Sequence, residues 1–245
     1  MSLLEADVGV VRRLLNEQHP TSLDLSGERP APKTAHAGLI LKTETYAELG
    51  SPETSSAQLV LYSNEAGEDA ARLIGPDLSR LSQNAASFAE VVILKGPSVD
   101  AETYYQFTQR HQRLFDAPGW MVKAAGGRLW VRAGRRDPAP TFEAAAATLI
   151  ARTHEAFPQV QGVEVWFITK NDPLVARLFE RAQTLQTAAR QIKENIWKAR
   201  GFDYRSCQLA GHCGSCSDKK TCASVRQMQA RVRIKRRTEA VSAEN

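Results

Sequence analysis

The chain has 245 residues, of which 42% are hydrophobic and 24% charged, and a formal net charge of +5. This length fits one large domain or two small ones, with enough apolar residues to bury a core. No apolar run approaches the ~20 residues that a membrane-spanning helix needs, and the first residues lack the basic start and apolar stretch of a signal peptide. The sequence therefore predicts a cytoplasmic protein without a membrane span.

The first half of the chain combines one helix with several strands. Hydrophobic periodicity predicts an amphipathic helix over residues 3–17. Residues 19–37 are rich in Pro, Ser and Ala and predict a linker or a surface loop. Runs of β-branched, aromatic and apolar residues then predict four strands. Their sequences are GLILKTETYAELG, AQLVLYSN, RLIGP and AEVVILKG.

The hydrophobic period changes to that of a helix over residues 100–116, where Asp100 is the predicted N-cap. A Gly-rich turn follows this helix and leads into further strands and helices. In chain order these are the strand GRLWVRAG, a helix capped by Thr141, the strand VEVWFITK, a long helix from Asn171 and Asp172 to about Arg200, and a last helix over residues 223–237.

Mixed strands and helices, with a β-α-β unit around residues 128–169, predict an α/β fold of the mixed α+β kind. The predicted fold has mixed sheets, packed helices and a cysteine-rich, metal-binding loop near the C-terminus. Four segments are predicted. They are an N-terminal helix and linker at 1–36, a first α/β lobe at 37–125, a second β-α-β lobe with the long helix at 126–202, and the cysteine loop with a basic C-terminal helix and tail at 203–245.

All four cysteines lie in one polar segment, with the spacing Cys-x5-Cys-x2-Cys-x5-Cys. In a reducing cytoplasm, clustered cysteines favour a metal site over disulfides. A [4Fe–4S] cubane and a tetrahedral zinc both suit four thiolates, and four unligated thiols are the third alternative. A single Cys-x-x-Cys pair with two flanking cysteines favours the cubane over zinc. The predicted ligands are Cys207, Cys213, Cys216 and Cys222.

This cysteine segment resembles the iron–sulfur loop of the endonuclease III class of DNA glycosylases, whose first gap has six residues rather than five. The resemblance covers only residues 207–222. Nothing upstream resembles the helix–hairpin–helix of that class. The resemblance therefore implies a cluster, and does not imply DNA repair.

A second series of motifs extends over most of the chain. In order, these are YAELGSPETSSAQLVL at 46–61, LIGPDL at 73–78, LWVRAG at 129–134 and VQGVEVWFITKND at 160–172. With the long helix leading into DYRSC, they resemble the acetyl-CoA synthase β subunit of carbon monoxide dehydrogenase/acetyl-CoA synthase complexes, over about residues 37–207. That family joins a methyl group, carbon monoxide and coenzyme A at a nickel pair bridged to a [4Fe–4S] cubane.

The chain departs from that family at its metal site. The resemblance aligns Cys207 with the first cubane cysteine, but Ala210 stands where the nickel-bridging cysteine is expected. No Cys-Gly-Cys turn for the distal nickel occurs in the sequence. One cubane would use all four cysteines, so the sequence predicts a truncated and divergent relative with a plain cluster and no nickel.

Basic residues provide a candidate patch for an anion or a protein partner. Arg128 and Arg132 are four apart on one predicted strand and share a face. In the resembling family this region is associated with coenzyme A binding. A solvated basic face is the alternative interpretation. The other predicted members of the patch are Lys219, Lys220, Arg231 and Arg233.

The favoured function is that of a redox or accessory component of a larger enzyme system, with protein partners in a redox or one-carbon complex. A cluster that is only a structural staple is the alternative role. Two other functions remain open: a one-carbon or acyl-transfer enzyme with a modified metal site, and a nucleic-acid-binding iron–sulfur module. A zinc-stapled interaction protein is the last alternative.

Overall fold

The computed structural model describes residues 2–26, 40–51, 55–81, 85–111, 117, 119–135 and 139–199. The described residues form four α-helices, two 3-10 turns and eight strands. The helices are α1 (Ser2–Asn16), α2 (Ala101–His111), α3 (Phe142–Ala156) and α4 (Asp172–Ala199), with 3-10 turns at Lys42–Glu44 and Leu78–Arg80. The strands are β1 (Thr21–Ser22), β2 (Thr45–Leu49), β3 (Ser56–Ser63), β4 (Ala70–Ile74), β5 (Phe88–Lys95), β6 (Trp120–Ala125), β7 (Arg128–Gly134) and β8 (Gly162–Thr169).

Three helices begin at the polar residues that the sequence predicts. The side chains of Asp100, Thr141 and Asn171 each accept a hydrogen bond from the backbone N–H three residues on, at 2.7, 3.1 and 3.2 Å. Such a cap satisfies one of the N–H groups that a helix start leaves without a partner. At Asp100, the hydrogen bonds from the backbone N–H and the hydroxyl of Thr103 lower the pKa of the carboxyl below its usual value.

We expect Thr141→Ala to lower the free energy of unfolding by about 1 kcal/mol, because the first turn of α3 loses its capping acceptor. Chemical denaturation at neutral pH measures this change. Thr141→Ser keeps a hydroxyl at the cap and is the matched control, with a smaller loss. Equal losses in both variants would contradict a capping role for the Thr141 hydroxyl.

The larger sheet has five strands in the order β1-β4-β8-β5-β3. Two parallel pairs, β4 with β8 and β3 with β5, meet at the antiparallel contact between β5 and β8. All eight residues of β8 are buried, because helices or the second sheet cover both faces of this strand. A strand buried on both faces reads as a nearly continuous apolar run, as VEVWFITK does.

The smaller sheet has three antiparallel strands in the order β2-β7-β6. A tight turn at Gly126 and Gly127 joins β6 to β7, and both glycines have positive φ, +59° and +76°. Two-residue hairpin turns need this backbone conformation, which glycine adopts without steric cost. The sequence predicts the turn and β7 but not β6, whose residues WMVKAA show no clean alternation.

Two further sequence expectations differ from the structure. Part of the predicted linker 19–37 is a short strand, because Thr21 and Ser22 pair with β4 at the edge of the larger sheet. The predicted β-α-β unit is not formed within one sheet, since β7 belongs to the smaller sheet and β8 to the larger. The chain pattern strand–helix–strand does not show whether its two strands are neighbours, and here other strands separate them.

The larger sheet lies between two hydrophobic clusters. On one face α1 and α4 pack through residues such as Val11, Leu15 and Leu178. On the other face lie α2, α3 and the inner side of the smaller sheet, through residues such as Phe107 and Phe142. Successive residues of β8 alternate between the two clusters, as the two-residue period of a strand requires.

The described residues thus form a mixed α+β fold with mixed sheets, as the sequence predicts. The chain divides into two compact units, Met1–Lys193 and Glu194–Asn245. Within the first unit, each sheet combines strands from both predicted lobes, β2 with β7 and β4 with β8. Among the described helices, none combines the length and the apolar character that a membrane crossing requires.

Candidate functional site

The cysteine segment follows α4, the last described helix, and lies outside the described residues. Within the ranges that the structure describes, no group of three or more His, Cys, Asp or Glu side chains is arranged to hold a metal ion. The predicted residues that lie outside are Cys207, Cys213, Cys216 and Cys222, with Lys219, Lys220, Arg231 and Arg233.

Arg128 begins β7 and has an exposed side chain. Its guanidinium carbon lies 4.0 Å from the ring centre of Phe179, on α4. A guanidinium over an aromatic face is held by the quadrupole of the ring, and such contacts contribute about 0.5–1 kcal/mol at exposed sites. Arg128 therefore connects the smaller sheet to α4 and keeps hydrogen-bond donors that face solvent.

Arg132 lies on the same face of β7 as Arg128, but it is occupied by partners within the protein. One of its terminal nitrogens lies 3.5 Å from Oε1 of Glu48, and the other donates to the carbonyl oxygen of Ile40 at 3.2 Å. The indole N–H of Trp130 donates to the same Glu48 oxygen at 2.7 Å. These contacts neutralise Arg132, so it is a weaker candidate than Arg128 for binding an external anion.

A charge cluster lies at the end of the larger sheet where β8 begins. The Glu164 carboxylate receives contacts from Arg12 at 3.3 Å, Arg72 at 2.7 Å and Lys95 at 3.1 Å. The indole N–H of Trp166 also donates to Glu164, at 2.9 Å. The Glu164 side chain is only 5% exposed. A buried carboxylate needs such partners, because its transfer out of water is otherwise very costly.

Opposing effects act on the pKa of Glu164. Burial raises this pKa, but the charges and hydrogen bonds of Lys95, Arg12 and Arg72 outweigh burial and hold it below the usual value. Glu164 is therefore ionised at neutral pH. A second carboxylate, Glu65, accepts a short hydrogen bond from Arg12, and this bond lowers the pKa of Glu65.

His154, in the last turn of α3, lies beside the same end of the sheet. Its Nε2 is 2.8 Å from a carboxylate oxygen of Asp69, and its Nδ1 is 3.3 Å from the carbonyl oxygen of Val160. The same Asp69 oxygen accepts the backbone N–H of Val163 at 3.0 Å. Each ring nitrogen thus lies within hydrogen-bond distance of an oxygen atom. The ring connects α3 to the start of β8 rather than presenting a free base.

The sequence VEVWFITK predicts a strand, and Glu164 is not among the predicted site residues. Its position within a run of apolar residues does indicate a buried carboxylate with a charged partner, since acidic residues are rarely fully buried unless they are paired. The sequence does not reveal the partners, because Arg12, Arg72 and Lys95 come from three different elements. Only the pairing of β8 with β4 and β5, and the packing of α1, bring them together.

Comparison of the chain with protein-family models and with curated proteins finds no match in either set. The resemblances to the acetyl-CoA synthase β subunit and to the endonuclease III iron–sulfur loop therefore stay predictions from the sequence.

Proposed function

We propose that this is an iron–sulfur protein in which Cys207, Cys213, Cys216 and Cys222 hold one [4Fe–4S] cluster. We further propose that it acts as a redox or accessory component of a larger enzyme system. The single observation that carries the proposal is that one short segment contains every cysteine of the chain.

The donor set fits a cubane, since four thiolates supply one ligand to each iron. Gly214 and Ser215, the residues between the inner cysteines, are small and allow a tight turn. Leu209 is the only bulky apolar residue between Cys207 and Cys222, so the segment is polar in sequence. When bound, a cubane supplies one-electron transfer. A polar surrounding suits a centre that exchanges electrons with a partner.

The basic residues near the cysteines support the redox part of the proposal. Lys219 and Lys220 lie between the last two cysteines, and the sequence RVRIKRR follows from Arg231 to Arg237. Positive charge favours the more negative, reduced form of a cluster and attracts an acidic partner surface. Among the described residues of the predicted patch, Arg128 has an exposed side chain.

Metal analysis of protein purified without oxygen tests this proposal. We expect about four irons and four sulfides per chain, a brown colour and no stoichiometric nickel. One zinc in a colourless protein would overturn it. Stoichiometric nickel would instead support the acyl-transfer alternative. Strongly salt-dependent binding of a DNA duplex would support the nucleic-acid alternative.

Cys216→Ser is expected to remove most of the iron and sulfide, because a serine oxygen is a poor replacement for a thiolate at an iron. Ser217→Ala, at the next residue, is the matched control and should keep the full cluster. Iron and sulfide analysis measures both variants. An unchanged iron content in the Cys216 variant would show that this cysteine is not a ligand.

A redox titration of the cluster, with a reductant added in steps and a redox mediator present, distinguishes an electron-transfer role from a purely structural role. A cluster that takes up and releases one electron reversibly supports electron transfer. A cluster that stays oxidised with strong reductants, and whose removal unfolds the cysteine-containing segment, supports the staple. Far-ultraviolet circular dichroism before and after iron chelation measures the second outcome.

A further inference from the structure

The charge cluster around Glu164 has more positive than negative charge. Arg12, Arg72 and Lys95 all contact the one Glu164 carboxylate, at 2.7 to 3.3 Å. Their charged groups must therefore lie close to one another, and three cations against one buried carboxylate leave an excess of two positive charges. Like charges at this separation repel, so a bound anion would stabilise the arrangement.

The two arginines are held by the protein and are still partly exposed to solvent, whereas Lys95 is mostly buried. Glu164 is 5% exposed, whereas the side chain of Arg72 is 35% exposed. The guanidinium of Arg72 also lies over the Trp166 ring, 4.7 Å from its centre, which restricts its orientation. A guanidinium has five N–H donors, and one N–H of Arg72 donates to Glu164 among the described residues. Donors that point away from Glu164 are thus available to a ligand.

The excess charge is offset in part by Glu65, in the loop between β3 and β4. Its carboxylate pairs with Arg12, but its side chain is 64% exposed. Exposed pairs of this kind contribute only about 0–1 kcal/mol. A doubly charged anion can therefore replace Glu65 as the partner of Arg12, while the buried Glu164 keeps its own contacts with the three cations.

We propose that Arg12, Arg72 and Lys95 form a binding site for a phosphate group, with Glu65 as a displaceable internal counter-ion. Once Glu65 is displaced from Arg12, a phosphate dianion matches the excess of two positive charges that Arg12, Arg72 and Lys95 leave around Glu164. Its oxygens also match the paired donors of guanidinium groups, which bind phosphate through two parallel hydrogen bonds. Lys95 adds a compact charge held at 3.1 Å from Glu164. This site involves none of the cysteines and does not depend on the cluster.

The test is a calorimetric titration of the full chain with inorganic phosphate, at an ionic strength held constant with chloride. We expect wild type to bind phosphate and Arg72→Gln to bind it about ten-fold more weakly, because a charge-assisted contact is lost. Glu65→Gln should bind about three-fold more tightly, since the competing carboxylate is gone. Arg181→Gln is the matched control. Arg181 is another half-exposed arginine paired with α1, through Asp7, and its loss should leave the affinity unchanged.

Phenyl phosphate in a parallel titration identifies the source of the phosphate group. Tighter binding of phenyl phosphate assigns the site to a phosphorylated organic ligand, and tighter binding of inorganic phosphate assigns it to the free ion. The proposal would be overturned if neither ligand released or absorbed more heat than chloride does. Equal affinities of wild type and Arg72→Gln for phosphate would also overturn it. Should Arg72→Gln not fold, Glu65→Gln decides, because an affinity unaltered by that change is incompatible with the site.

Discussion

Glu164→Gln is expected to lower the free energy of unfolding by about 2–3 kcal/mol at neutral pH. Removing one partner from a buried ion pair usually costs about 3–5 kcal/mol, because the other charge is left uncompensated. The expected loss is smaller here, since Arg12 and Arg72 are partly exposed and can turn toward water. Urea denaturation of the two proteins measures the difference.

The effect of this substitution depends on pH, with a sign that the lowered pKa of Glu164 determines. A carboxyl whose pKa is lower in the folded than in the unfolded state stabilises the protein above the unfolded value, which is near 4.5. That contribution disappears as the pH falls through the folded pKa. The stability difference between wild type and Glu164→Gln should therefore be full at pH 7 and narrow progressively below about pH 5.

Glu65→Gln is the matched control for Glu164→Gln, because both carboxylates contact Arg12 but Glu65 is 64% exposed. We expect its loss to be below about 1 kcal/mol. Equal stability of wild type and Glu164→Gln at pH 7 would contradict the role assigned to the buried carboxylate. So would a difference between them that does not change with pH.

Phe142→Ala is expected to lower the free energy of unfolding by about 3–5 kcal/mol. The ring is fully buried and lies 4.9 Å from Phe167 and 6.3 Å from Phe88, both on the larger sheet. It also lies 5.8 Å from Trp120, on the smaller sheet. Its removal leaves a cavity at the place where α3 meets both sheets, so the surrounding atoms lose contacts on several sides.

Thermal and urea unfolding of Phe142→Ala measure this loss. Leu41→Ala truncates an exposed large side chain, 52% accessible, and should change stability by less than about 0.5 kcal/mol. Phe142→Leu keeps much of the volume and should cost less than the alanine variant. A loss in Phe142→Ala no larger than that in Leu41→Ala would contradict the role of the ring as a contact between the sheets.

Local signals predict most of the helices and strands that the structure describes. The caps at Asp100, Thr141 and Asn171 are determined by a side chain and a backbone N–H three residues on, so the sequence predicts α2, α3 and α4 well. The strands β6 and β1 are not predicted, because their stability comes from the strands beside them. Strand preference depends strongly on neighbours, and WMVKAA forms a strand by pairing with β7.

By itself, the sequence determines the fold class, the helix starts and the presence of one cysteine-rich segment, since composition, capping and spacing are local properties. The arrangement of strands was decided only by the tertiary structure, which places β7 and β8 in different sheets. The tertiary structure also determines which cations surround Glu164. Its cations are distant in the chain, and only strand register and helix packing bring Arg12, Arg72 and Lys95 to one buried carboxylate, whose desolvation they offset.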